Sequence, residues 1–263
     1  MHAMVNTAVK AARLAGTIIL RAYDDKNRLN ITSKGINDYV TQVDKAAEQA
    51  IIKILQEAYP DHSILAEESG KHTPSHKTTS THQWIIDPLD GTLNFINNFG
   101  HFCVSIALKV NDTVEHSVIY DPIRNELFTA SKGSGATLDS RRIRVNKKEH
   151  IQDSFLGTGY SVRNPENLDK NLKIFNSILK KVSDVRVTGS AALDLAYVAA
   201  GRLDAFYESD LMPWDLAAGS LLVLEAGGYV GDYSGGESYL NKGEVIAGNI
   251  KIYKNLLQEI NKV

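Results

Sequence analysis

At 263 residues the chain is long enough to bury a sizeable core, as one large domain or two closely packed halves. Hydrophobic residues make up 43% and charged residues 23%, and a formal net charge of −2 excludes any global pull towards nucleic acid or an anionic membrane. The single cysteine, Cys103, excludes an internal disulfide; in the apolar run 102–108 it reads as a buried small hydrophobe suited to a reducing compartment.

Lys10 and Arg13 precede an apolar run, 14–20, in a pattern that signal peptides share. The run is short, and Val5, Ala8, Ala12, Ala15 and Ile19 keep helical periodicity, so an amphipathic helix is expected and not a cleaved signal. No stretch reads as long and apolar enough to span a bilayer. After a turn-rich segment at 34–38, a second helix is predicted over 39–57, with an apolar stripe through Val40, Ala47, Ile51 and Ile54. Asp44 falls on that stripe. A carboxylate on a packed face needs a partner, either a structural one or one belonging to a site. Residues 63–66 read as a strand ending in Glu67-Glu68, and strand alternation lets only one of the two enter a shared site. The polar segment 70–82 carries His72, His76 and His82 at spacings that fit no compact zinc pattern, and reads as a mobile solvated loop.

The stretch 84–95 organises the chain. Trp84 to Ile86 reads as a buried strand, and Pro88, which lacks a ladder donor and biases Asp87 towards extended backbone, predicts its end. Asp90-Gly91-Thr92 reads as a helix start with Asp90 or Thr92 as its cap. Two carboxylates three residues apart, followed by unpaired backbone N–H groups, suit hard divalent cations and an anion touching both, for which phosphate fits best. The plainer alternative is an acidic turn whose Asp residues only cap a helix.

From 102 to 137, apolar runs alternate with turns, an antiparallel meander. Gly133 and Gly135 lack a following Walker-type Lys and read as a hairpin turn. The basic run 141–148 reads as a solvated strand edge, with a docking surface for RNA or protein as the alternative. A helix is predicted at 168–182 and a strand at 184–188. Gly189-Ser190 then leads into a helix at 191–200, with Ser190 as its cap. A strand at 203–207 ends just before Glu208, and Pro213-Trp214-Asp215 opens a helix at 216–226, where an Asp is ordinarily an N-cap. A strand at 244–249 and a helix at 250–263 close the chain.

The segments 87–95 and 214–219 resemble the two signatures of the inositol monophosphatase family, Mg²⁺-dependent, lithium-sensitive phosphatases, and the likeness runs from the first helix to about Gly248. Residues 1–4 and 188–201 are most similar to a bacterial branch of it. The resemblance implies an α/β (α+β) layered sandwich, αβαβα, of the inositol monophosphatase and fructose bisphosphatase type. It implies one domain over 1–263, with a meander in about 1–140, a mixed sheet in about 141–263 and the site between. Glu67, Asp87, Asp90 and Asp215 are hard oxygen ligands that suit Mg²⁺ better than zinc. By resemblance Glu67, Asp87 and the Leu89 carbonyl hold one Mg²⁺, Asp87, Asp90 and Asp215 a second, and a third, weaker ion sits near Glu67. Thr92, bonded to Asp44, orients or deprotonates the attacking water, and the Gly91 and Thr92 N–H groups hold phosphate. No phospho-enzyme forms. Glu208 and Ala191 contact substrate hydroxyls, Gly189 and Ser190 line the pocket, and Arg186 lies near its rim.

The implied substrates are myo-inositol monophosphates and related polyol phosphates, with fructose bisphosphatase, nucleotide bisphosphatase and histidinol phosphatase activities as rivals. Members of the bacterial branch also join transcription antitermination complexes with Nus factors and RNA polymerase, which is the regulatory alternative. Relatives are commonly cytoplasmic homodimers without a membrane partner. Residues 138–141 replace an Asn-Gly turn found in many relatives, a departure remote from the chemistry.

Overall fold

In the computed structural model, which describes residues 2–25, 31–35, 38–74, 79–160 and 165–263, helix α1 (Ala3–Asp24) buries Val5, Ala8, Ala11, Ala12, Ala15 and Ile19 along one stripe. Gly16 belongs to that stripe because a Cβ there would sit 2.5 Å from the Tyr120 ring. Among the described residues α1 is the one helix with the length and apolarity to cross a membrane, 22 residues at a hydropathy of 1.2, contrary to the expectation of none. The sequence reading missed it because Asn6, Lys10 and Arg13 break the run into short apolar pieces, while the valines, isoleucines and leucines between them still sum to that hydropathy.

A hairpin of β1 (Ile31–Gly35) and β2 (Asp38–Thr41) precedes α2 (Gln42–Ala58), so the helix starts three residues later than predicted. Thr41 is extended and caps α2 with its hydroxyl, and Asp44 returns a bond to the Thr41 backbone, completing a capping box. Residues 36–37 of the predicted turn lie outside the described residues.

The chain then runs through β3 (Ser63–Ala66), β4 (Gly70–His72), β5 (His82–Asp90), α3 (Thr92–Ile96), β6 (Cys103–Val110), β7 (Thr113–Asp121), β8 (Glu126–Ser131), β9 (Gly135–Leu138) and β10 (Arg141–Arg142). It continues through β11 (Phe155–Thr158), α4 (Pro165–Leu179), β12 (Asp184–Val187), α5 (Ala191–Ala199), β13 (Ala205–Glu208) and α6 (Pro213–Glu225). It ends with β14 (Tyr229–Gly231), α7 (Tyr239–Lys242), β15 (Val245–Gly248) and α8 (Ile250–Ile260). The first eight-stranded sheet has the order β10-β9-β8-β7-β6-β5-β3-β4, antiparallel except for the parallel pair β3–β5. The second sheet has the order β12-β11-β13-β15-β14, parallel on one side of β13 and antiparallel on the other.

Strand alternation sorts the core into three layers. Trp84, Ile86, Val104 and Ile106 face α1 and α2, while Ile85, Cys103 and Ala107 face α5 and α6. Those two helices also cover Phe206, Val245 and Ala247 of the second sheet, whose opposite face packs Ala205, Tyr207 and Ile246 against α4 and α8. The layering is therefore αβαβα, as expected.

Of the expected loop 70–82, residues 70–72 and 82 belong to strands β4 and β5, while the described residues 73–74 and 79–81 are irregular. His72 ends β4, bonded to Ser69 at 2.6 Å, and His82 opens β5, stacked on His62 at 4.4 Å; His76 lies outside the described residues. Burial, with His82 beside it, lowers the His62 imidazole to about 4. The basic run begins as expected, with exposed β10 on the edge of the sheet. Ile143 and Val145 then turn inward onto the core, which holds the run down.

Candidate active site

Asp87 and Asp90 would point to opposite faces of a regular strand, since three is an odd spacing. β5 does not end at Pro88 as predicted. The strand continues to Asp90 with a register shift, its pairing passing from Asp87–Ser105 directly to Asp90–Cys103. Pro88 is accommodated in the interval where no ladder donor is needed. The irregularity reorients the backbone so that both carboxylates reach one side. β3 lies parallel to β5, so Glu67 follows β3 where Asp87 emerges, and its N–H donates to Ile86 O at 3.2 Å. The Glu67 side chain is hydrogen-bonded to Asp87. Asp215 arrives from α6, which starts at Pro213, earlier than predicted; there Asp215 is the third helical residue and its Oδ2 accepts from Met212 N at 2.7 Å.

Asp87, Asp90 and Asp215 each offer an oxygen within 4.8 Å of the other two. Burial pushes the Asp87 carboxyl well above its ordinary range, and Glu67, Asp90 and Asp215 push it further in the same direction. Asp90 is pushed up to about 6 by burial, against the opposing hydrogen bonds of Ser190 and Ala192. Acidic groups buried together, with three acidic neighbours acting on Asp87 against the single N–H of Leu89 at 2.9 Å, are costly unless a cation joins them. The donor set is all oxygen and converges from three elements. It fits a hard divalent ion.

Neither Asp90 nor Thr92 caps α3. The cap is Gly91, in the left-handed region at φ 94°, where a Cβ would stand 3.0 Å from His101 O. Asp90 caps a different helix. Its Oδ2 accepts from Ala192 N at 2.8 Å and from Ser190 Oγ at 2.6 Å, so it satisfies the first turn of α5 from across the sheet interface. Ser190 is the N-cap residue of α5, as expected, but its hydroxyl makes no cap bond because it is buried and committed to Asp90. Thr92 Oγ1 lies 3.0 Å from Asp44 Oδ1 and 3.1 Å from Leu89 O, and donates to them. Asp44 is fully buried, and burial raises its carboxyl although Thr41 and Thr92 bond to it. Asp44 therefore has its partners in Thr41 and Thr92. It caps α2, and it reaches the end of β5.

Glu208, the last residue of β13, is half-buried, with its carboxyl pushed well up by burial and then by Asp194, Asp215 and Asp90. Its carboxylate lies against the backbone of Gly159, where a Cβ would come within 2.3 Å of both oxygens. A side chain in place of Gly159 would therefore displace that carboxylate. Gly189 (φ 82°) and Ala191 flank Ser190 at the start of α5. Arg186 is exposed on edge strand β12, its guanidinium bonded to Asp184 and stacked over Phe155 at 4.8 Å.

Sequence reasoning missed three residues that hold these parts together. Asn94 Nδ2 donates to His101 O and Thr188 O, both at 2.7 Å, tying α3 to the loop before α5. Asp194 Oδ2 accepts from Thr188 Oγ1 at 2.5 Å, and its Oδ1 meets buried His101 Nε2 at 3.3 Å. A signal for Asp194 was present: it is a lone carboxylate in the apolar helix 191–199, the same anomaly that marked Asp44.

A five-layer αβαβα protein with a buried carboxylate centre where its two sheets meet belongs with the metal-dependent phosphatases. The chain belongs to the inositol monophosphatase family, whose model matches residues 1–263. It is 48% identical over 260 residues to the Nus factor SuhB of Haemophilus influenzae, covering 99% of this chain and 96% of that protein. The crystal structure of extragenic suppressor protein suhB from Bartonella henselae superposes with a TM-score of 0.95 at 42% identity, covering 99% of each chain. Inositol monophosphatase from Anabaena (Nostoc) sp. PCC 7120 matches with a TM-score of 0.88 at 37% identity, over 99% of this chain and 96% of that one.

Proposed function

We propose that residues 1–263 form one unit that hydrolyses myo-inositol monophosphate and related polyol phosphates with two or three Mg²⁺ ions. The observation that carries this reading is the meeting of buried Asp87 and Asp90 with half-buried Asp215 within 4.8 Å, with Glu67 against Asp87. Glu67, Asp87, Asp90, Asp215 and the Leu89 carbonyl would hold the ions, which supply charge neutralisation and a more acidic water. Asp44, by accepting from the Thr92 hydroxyl, leaves the Thr92 Oγ lone pairs to accept a hydrogen bond that orients the attacking water; a proton taken from that water by Oγ would be matched by transfer of the hydroxyl proton to Asp44. The Gly91 and Thr92 N–H groups hold phosphate oxygens, and Glu208 with the first turn of α5 meets the hydroxyls of the alcohol. Gly189 and Ser190 shape that wall, Ser190 through Asp90, and Arg186 contributes charge at the rim.

Phosphate release from a panel of inositol, sugar, nucleotide and histidinol phosphates tests this. Inositol monophosphate should be hydrolysed fastest, chelation should abolish release, and millimolar LiCl should inhibit it. Faster hydrolysis of fructose bisphosphate or a nucleotide, or release that survives chelation, would place the substrate elsewhere.

A second role rests on the similarity to proteins named Nus factor SuhB. We propose a cytoplasmic homodimer that also binds Nus factors or RNA polymerase, with the exposed Arg141, Arg142 and Arg144 as candidate contacts. Capture of Nus factors by an Asp90→Asn variant as efficiently as by the wild type would separate the two roles. Loss of capture in that variant would tie them together.

A further inference from the structure

We infer that Glu48 is a positioning residue for the metal centre, holding Glu67 in place through the backbone of its neighbour. The inference rests on reading the carboxylate cluster as a metal centre. Glu48 lies on α2 one turn beyond Asp44 and is 2% exposed. Residues four apart share one helix face. From that face, Asp44 reaches the hydroxyl of Thr92 past the end of β5, and Glu48 Oε2 accepts from Glu68 N at 2.8 Å past the end of β3. One helix thereby registers the ends of the two parallel strands that deliver Glu67 and Asp87.

The need for such a brace follows from the topology. Pairing of β3 with β5 stops at Ala66–Ile86, and pairing of β3 with β4 stops at Ala66–Gly70. Glu67 therefore stands at the start of a three-residue turn. Its own N–H is tied to Ile86 O, which fixes the chain on the N-terminal side of its side chain. On the C-terminal side, the bond from Glu68 N to Glu48 anchors the next peptide. That bond borders a groove of 730 Å³ between α2 and the turn, lined by Lys45, Glu48, Glu68 and His72. Without Glu48 the peptide after Glu67 would face this open groove. A carboxylate buried on a face whose other buried residues, apart from Asp44, are apolar is retained at a cost in desolvation, and its acceptor is directed at the backbone beside a ligand.

Calorimetric titration of the full chain with Mn²⁺ tests this with Glu48→Gln and Glu48→Met. Gln keeps an acceptor oxygen and should bind Mn²⁺ nearly as the wild type does. Met keeps the volume without the acceptor, and should weaken one site by about tenfold to a hundredfold, the usual effect of losing a residue that orients a ligand. A merely structural role would lower the metal-free unfolding midpoint in both variants and leave Mn²⁺ affinity unchanged, which overturns the inference. A wild type that binds no Mn²⁺ overturns the metal reading and this inference together. Should Glu48→Met fail to fold, hydrogen exchange at the wild-type Glu68 amide decides. Slow exchange, slowed further by Mn²⁺, is expected; exchange at the rate of an exposed amide overturns the inference.

Discussion

Asp90→Asn is expected to lower phosphate-release turnover by more than about a hundredfold, beyond the usual loss for a residue that only supports a ligand, while making the metal-free protein more stable at pH 8. The two effects share one origin. Asp90 is buried near further acids, and its carboxyl is pushed up to about 6. Above that pH the metal-free folded chain carries a charge that its surroundings disfavour. Asn retains an acceptor oxygen for Ser190 Oγ and Ala192 N, so the trans cap on α5 survives while the charge goes. A gain on the order of 1–3 kcal/mol at pH 8 follows from the size of the shift, or about 2–4 °C of midpoint per kcal/mol for a chain of this class. Thermal unfolding of both proteins in chelator checks it, together with turnover at saturating Mg²⁺. Wild-type turnover in the variant would remove Asp90 from the centre.

Mg²⁺ is expected to stabilise the wild type more strongly as the pH rises from 5 to 8. In the metal-free chain, Asp90 holds its proton up to about 6 against an ordinary 3.8, so between those values the folded state binds more protons than the unfolded one. Stability from this group is full below 3.8 and is lost as the pH rises through 6. Asp87, raised by burial and by three acidic neighbours, adds a loss of the same sign. Cation binding reverses the cost because it needs the same carboxylates deprotonated. At a free concentration of one hundred times Kd, the ion contributes about 2.7 kcal/mol to stability. Unfolding midpoints across pH 5–8, with Mg²⁺ and with chelator, should therefore diverge towards high pH. Parallel curves, or a metal-free protein that becomes more stable as pH rises, would contradict the assignment.

Much of the architecture was legible because its signals are local. Helix periodicity in the first helix and apolar runs between turn residues in 102–137 act over a few residues, and the corresponding elements form. Element starts were less legible. Residues 38–41 join a hairpin, and Pro165 and Pro213 begin helices that the apolar pattern alone placed three residues later. Proline suits a first helical turn, where its missing donor costs nothing, so the pattern underestimates these helices.

The donor chemistry of the centre was written in the sequence. Acidic residues of the right type stand after β3, along β5 and at the start of α6, and the turn residues around Asp90 mark an irregular backbone. Which oxygen accepts which hydrogen was decided only by the tertiary structure. Ser190 and Ala192 lie a hundred or more residues beyond the Asp90 they serve, and Glu48 meets a backbone N–H twenty residues away. Local propensity cannot encode such partners, because a buried polar group takes the nearest donor that layer packing brings to it. The register shift in β5 and the parallel alignment of β3 are properties of the packed sheet, and they turn separate acids into one centre.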